Sequence, residues 1–275
     1  MKNSSSSIKR REGMLREMGL APLWKLRQPL AADEPVVASS LDTASATRPP
    51  VVSSSGEDVV PASVEVIAAS SSLSAVVAPV GNSERANAIA AMDWRQLQAS
   101  VAECTACALC RERKQAVLGV GDESADWLFV GEAPGAEEDE RGEPFVGQAG
   151  QLLDAMLAAI GLERGNDVYI ANAVKCRPPD NHSPTAEEMA ACRPYLERQV
   201  ALLKPRLMVA LGRPATQTLL QEEIKISAVR GQLLKFRDTP LVVTYHPAYL
   251  LRKPSDKAKA WEDLCLARRT MTNLK

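Results

Sequence analysis

Residues 131–150 read GEAPGAEEDERGEPFVGQAG, and the fold turns on what that stretch is. Behind it lies WLFV (127–130), a short apolar run with the character of a buried strand. Ahead of it, QLLDAMLAAIGL (151–162) repeats apolar residues at helical spacing. The stretch is therefore a strand-to-helix loop, rich in glycine, proline and carboxylates, with one aromatic, Phe145. Glycine lets backbone approach a ligand closely, and open α/β sheets bind ligands at the carboxyl ends of their strands. A plain connector is commonly about two to six residues long. This loop is far longer, which favours a ligand-binding role.

Working outward, three further apolar runs read as strands: DVYIANAV (167–174), RLMVALG (206–212) and LVVTYHP (241–247). Helical segments separate them. Thr185 and Glu188 form a capping box at the start of one, a second runs through RPATQTLLQ, and DKAKAWEDLCLARR (256–269) closes the chain. AIAAMDWRQLQASVAEC (88–104) is a helix with Asp93 as a cap before Trp94. Four strands alternating with helices predict a parallel sheet covered on both faces. The folded domain is expected over residues 88–275.

Two segments precede it. Residues 31–87 are rich in Ser, Ala, Val and Pro and contain no Trp, Tyr or Phe. They hold too little bulky apolar surface to offset ordering entropy, so a disordered linker is expected. Residues 1–30 carry seven basic and two acidic side chains. Within 8–27, Met14, Leu15 and Met18 share a helix face, followed by Leu20, Leu23, Trp24 and Leu26, the pattern of a docking peptide. LREMGLAPLWKLRQP (15–29) is similar to the N-terminal peptide of the psi subunit of the bacterial clamp loader, which binds the chi subunit. The segment is thus a candidate site for a replication or repair protein.

Net charge is −1, so any nucleic-acid partner needs a local basic patch, for which Lys175, Arg177, Arg230 and Lys253 are candidates. No apolar run reaches the roughly 18 residues of a membrane span, and no apolar core follows the basic N-terminus as in a signal peptide. A cytoplasmic monomer is expected. In a reducing compartment the six cysteines are metal ligands or core thiols rather than disulfides. Cys104 and Cys107 form a C-x2-C pair that presents two thiolates from one turn. Cys176 and Cys192 lie either side of PPDNHSPT and can converge with them. Four thiolates suit a structural zinc or an iron–sulfur cluster, and spacing does not choose between them. Cys110 extends the run to C-x2-C-x2-C, so three residues compete for two places. Cys265, between Leu264 and Leu266 in the closing helix, reads as a buried thiol.

With GEAPG (131–135), PFVG (144–147), NAVKCRPP (172–179) and HPAYLLR (246–252) in order, the chain closely resembles the family 4 uracil-DNA glycosylases. The resemblance covers roughly residues 95–270. It implies a three-layer α/β/α fold around a four-stranded parallel sheet. It implies a [4Fe–4S] cluster on Cys104, Cys107, Cys176 and Cys192, with Cys110 outside the ligand set. It also implies hydrolysis of the bond between uracil and deoxyribose in DNA, leaving an abasic site.

Residue by residue, the resemblance makes His246 the catalytic donor to uracil O2, where charge develops as the base departs. Without it, a satisfied strand-end histidine is an equal reading. Phe145 corresponds to the aromatic that stacks on the flipped base. Asn172 would pair with O4 and N3–H together, a pattern that cytosine reverses. Glu132 is assigned to the water or the sugar. Ala133 stands where another branch of the superfamily has a water-orienting aspartate, and Gly135 where that branch has a thymine-excluding tyrosine. Both are therefore assigned to the wall of the uracil site. Glu138 and Asp139 match loop carboxylates of the family or are solvated surface charge. Leu250 and Leu251 would wedge into the base stack, while Arg252 holds phosphate. A related branch that traps uracil-DNA covalently carries a basic, histidine-containing insertion before its last motif. RGQLLKFRDTPLVVTYH (230–246) has no such insertion. A non-catalytic, cluster-bearing DNA-binding module is the rival of a different class, and Glu132, Asn172 and His246 argue against it.

Overall fold

The computed structural model describes residues 80–274, and the expectations for residues 8–27 and 31–79 lie outside them. The first described element is helix α1 (Val80–Ala90), so ordered structure begins before the expected start at residue 88. The single helix expected over 88–104 is two. Helix α2 (Trp94–Ala102) starts afresh at Asp93, whose carboxylate accepts from Gln96 N at 2.8 Å while the Gln96 side chain accepts from Asp93 N.

The four expected strands form the centre of the sheet: β2 (Trp127–Gly131), β3 (Val168–Asn172), β4 (Leu207–Leu211) and β6 (Thr239–Thr244), all parallel. The sheet is wider than four strands, however. A two-residue strand β1 (Val120–Gly121) pairs antiparallel with β3, and β5 (Leu233–Phe236) pairs antiparallel with β6. The order is β1-β3-β2-β4-β6-β5, a six-stranded mixed sheet. Every residue of β2, β3 and β4 is buried, as befits parallel strands covered on both faces.

Alternation along β2 builds the two cores. Trp127 and Phe129 face one layer with Leu153, Met156 and Leu157 of α4 (Gln148–Ala159), joined by Leu264 and Met271 of α9 (Lys257–Leu274). Leu128 and Val130 face the other with Leu196 and Val200 of α5 (Ala186–Leu203) and Leu219 of α6 (Arg213–Leu220). The result is three layers. The capping box predicted at Thr185 and Glu188 opens α5. A third, smaller core joins Ile89, Leu97 and Val101 of α1 and α2 to Cys176, Cys192 and Tyr195.

The glycine-rich stretch is not all loop. It contains a short helix, α3 (Ala136–Arg141), that ends at Gly142 in the left-handed region, and α4 begins three residues earlier than its apolar pattern suggested. The chain leaves β2 for β3 on one side and returns to β4 on the other. The carboxyl ends of β2 and β4 therefore flank a topological switch point, where open α/β sheets bind ligands. Two shorter helices complete the fold near this end: α7 (Ile226–Val229) and α8 (Pro247–Arg252).

Candidate active site

A cavity of about 770 Å³ opens over the switch point. Every central strand contributes to its wall at or just past its end: Glu132 after β2, Asn172 at the end of β3, Gly212 and Arg213 after β4, and His246 after β6. Ala133, Gly135 and Phe145 of the glycine-rich segment also line it. The structure thus brings Glu132, Ala133, Gly135, Phe145, Asn172 and His246 to one cavity.

Gly131 explains how three of these walls meet so closely. A Cβ there would lie 2.4 Å from Asn172 Oδ1 and 2.5 Å from Phe145 Cζ. Only a residue without a side chain lets the amide and the ring close over the strand end. Phe145 in turn stacks on His246, with ring centroids 5.4 Å apart and planes 29° from parallel.

His246 caps α8. Its Nδ1 accepts the N–H of Ala248 at 3.2 Å, which puts the proton of the neutral ring on Nε2. Burial holds the imidazole down at about 4; the charge of Arg252 adds to this and Glu138 opposes it. The ring is therefore a neutral donor at physiological pH. Asn172 is almost fully buried, and its Oδ1 has no hydrogen-bond partner. A buried amide oxygen left unpaired is costly, and this one belongs to a residue that lines the cavity. Burial raises the Glu132 carboxyl, against a hydrogen bond from Ser183 and the charges of Arg213 and Arg252.

The neighbouring carboxylates are structural. Glu138 accepts from the N–H groups of Gly135 (3.0 Å), Val146 (2.9 Å) and Gly147 (3.2 Å), tying both ends of the glycine-rich segment together. Asp139 is buried and accepts from Lys114 N at 3.0 Å. Neither is the solvated surface charge that was one reading of them.

Three further expectations need correction. Leu250 is fully buried in the core beneath α8, so it does not reach a base stack; its neighbour Leu251, 41% exposed, faces outward together with Arg252. Lys175 is no surface cation but a buried one, with Nζ on Asn172 O at 2.8 Å and on Gln199 Oε1. Arg230 is engaged by Asp263 and Glu262. Sequence reading missed Arg213, Tyr245 and Tyr249, which line the cavity. Arg213 had a usable signal, since it follows the carboxyl end of a predicted strand.

The cysteines form a second centre on the far side of Lys175. Cys104, Cys107, Cys110, Cys176 and Cys192 all line one small cavity, whereas Cys265 stands apart, half-buried in α9. Donors reach the sulfurs: Arg113 Nη1 to Cys176 Sγ (2.9 Å), Lys175 N to Cys192 Sγ (3.2 Å) and Arg85 Nη2 to Cys104 Sγ (3.6 Å). Burial pushes the Cys192 thiol up to about 12, and it also raises Cys176 and Cys107. Cys104 is lowered: burial opposes this, but Ala106, Tyr195 and Arg85 outweigh it. Among the described residues, no three His, Cys, Asp or Glu side chains form a ready site for a single ion.

A three-layer α/β domain with a large cavity at its switch point and a separate thiol-lined cavity defines a narrow class. The chain belongs to the uracil DNA glycosylase superfamily, whose model matches residues 118–265. It is 44% identical over 183 residues to the type-4 uracil-DNA glycosylase of Pyrobaculum aerophilum, an overlap of 64% of this chain and 93% of that relative. The type-4 enzyme of Archaeoglobus fulgidus is 45% identical over 162 residues, 56% and 81% of the two chains. A type-5 uracil-DNA glycosylase of Thermus thermophilus is 40% identical over 157 residues, 45% and 71%.

Proposed function

We propose that this chain is a uracil-DNA glycosylase of the type-4 kind, hydrolysing the N-glycosidic bond of uracil in DNA and leaving an abasic site for base excision repair. The observation that carries the reading is the pairing, on one cavity wall, of an unsatisfied buried amide with a neutral imidazole donor. A base within a duplex is out of reach of such a wall, so the nucleotide must be flipped out. The gap between Phe145 and His246 leaves no room for a third ring. The base therefore lies against the cavity side of the phenyl, with the imidazole at its edge. The Asn172 amide then pairs with O4 and N3–H, satisfying its oxygen.

Bond cleavage expels uracil as an anion and leaves an oxocarbenium-like sugar. The Nε2–H of His246 supplies a fixed donor to O2 as the charge develops, and it does so without reorganisation. A neutral donor suits this role, because it hydrogen-bonds the departing anion while keeping its own proton. Glu132 is the carboxylate available to orient water or steady the sugar; Ala133 and Gly135 complete the wall. Arg252 lines the cavity and its neighbour Leu251 is exposed, the two suited to phosphate and base stack.

The resemblance assigns a [4Fe–4S] cluster to Cys104, Cys107, Cys176 and Cys192, and the donor set fits. The five thiols of one small cavity include all four of these, so Cys104, Cys107, Cys176 and Cys192 would hold the group. N–H groups directed at Cys104, Cys176 and Cys192 match sulfurs that bear negative charge. The cluster would brace the ends of α2 and α5 and supply no chemistry at the base. A cytoplasmic monomer acting on uracil-containing DNA completes the reading, with residues 8–27 offered to a replication or repair protein. No described helix is long and apolar enough to cross a membrane.

The test is a release assay on a uracil-containing oligonucleotide. Free uracil with an abasic site is expected. A covalent adduct, or a gel shift without release, overturns the reading.

A further inference from the structure

Phe145 carries an unusual backbone. Its φ is 57°, the left-handed region that residues with bulky side chains disfavour. The structure shows what holds it there. Arg164, in the turn between α4 and β3, donates Nη1 to Pro144 O and Nη2 to Phe145 O, both at 2.8 Å. The guanidinium is itself oriented by Asp154 of α4, which accepts from Nε at 3.0 Å and lies 2.8 Å from Nη2. From below, Gly150 closes on the same carbonyl: a Cβ there would lie 1.8 Å from Phe145 O. Two successive carbonyls gripped by one rigid fork fix the direction in which the next side chain points.

We infer that Arg164 is a positioning residue for uracil, acting through the ring of Phe145. This rests on the reading of Phe145 as the surface on which the flipped base stacks. Arg164 makes no contact with the cavity; it keeps the phenyl edge-on to Gly131 and face-on to the base. Lysine cannot replace it fully, because a single ammonium does not span both carbonyls in the plane of a fork.

The experiment is a double-mutant cycle with R164Q, F145A and F145A/R164Q, plus R164K. Its readouts are kcat and KM for uracil release, the inhibition constant of free uracil, and the thermal midpoint of each variant. In the otherwise unsubstituted chain, R164Q should raise KM and the uracil inhibition constant roughly tenfold, the scale of one left-handed residue released. R164K should fall between. In the F145A background, R164Q should change neither constant, whatever it does to the thermal midpoint. Equal losses in both backgrounds overturn the inference, as do unaltered uracil constants in R164Q or an F145A variant whose KM is normal. If R164Q does not fold, R164K and F145A/R164K form the same cycle. Failure of the unsubstituted chain to release uracil is a separate result, which removes the excision reading itself.

Discussion

His246 gives up its Nδ1 lone pair to the N–H of Ala248, and the remaining proton faces the cavity wall shared with Asn172. Replacing it by alanine removes the only imidazole among the strand-end residues. Uracil release should drop roughly 10²-fold or more, as for loss of an oxyanion donor, and loss of the α8 cap should also lower the thermal midpoint. The pH dependence follows from the same environment. Burial depresses the ring to about 4 in the folded chain, below its unfolded value. Between about pH 6.5 and 4 the unfolded state binds more protons, so stability is lost as pH falls through that window. Denaturant unfolding of a His246→Asn variant should lack this part of the acid limb, and the rate profile of the native chain should show no inflection near pH 6.5. Gly131→Ala is a further test at this scale. Its Cβ would press on Asn172 Oδ1 and the Phe145 ring, so uracil inhibition should weaken even in a folded variant. His246, Asn172 and Phe145 were named through the family resemblance, since strand-end position alone left a satisfied histidine an equal reading; the fold brings all three to one cavity. Leu250 and Leu251 were not separable in sequence: adjacent residues of a six-residue helix show no period, and only packing under α8 decides that one is buried.

The elements that the sequence hid are short. Strand β1 is two residues long, and the four residues of β5 are defined by their antiparallel hairpin pairing with β6. The four central strands were legible because burial on both faces makes them continuous apolar runs. Helix α3 was hidden for a further reason. Its sequence, AEEDER, has no apolar face, and it is held by the Glu138 carboxylate bridging Gly135 to Val146 and Gly147. Glu138→Ala should therefore cost about 2 kcal/mol in denaturant unfolding, the loss of charge-assisted bonds, and should slow uracil release as Phe145 loses its frame. Lys175 makes a comparable link between the end of β3 and α5 through Asn172 O and Gln199 Oε1. Lys175→Met leaves those oxygens buried and unpaired, an expected loss of about 1–3 kcal/mol.

For the molecule as a whole, helix α1 changes where the domain can be cut. Arg85 donates to Ala191 O at 2.8 Å and to Cys104 Sγ, and its guanidinium lies 4.9 Å from the Tyr195 ring centroid. A chain beginning at residue 80 should release uracil from short oligonucleotides as the full chain does. One beginning at residue 91 should retain less iron per chain and less absorbance near 400 nm (approximate, typical of iron–sulfur proteins). Equal iron in the two would separate α1 from the thiol centre. The superfamily match begins at residue 118, after Cys104 and Cys107 have passed. Two of the four sulfurs proposed as ligands therefore belong to the stretch that a minimal excision would discard. The same placement has a temporal side. Cys104 and Cys107 leave the ribosome well before Cys176 and Cys192, so closure of the sulfur ring must wait until three strands of the sheet and the first turns of α5 have been synthesised.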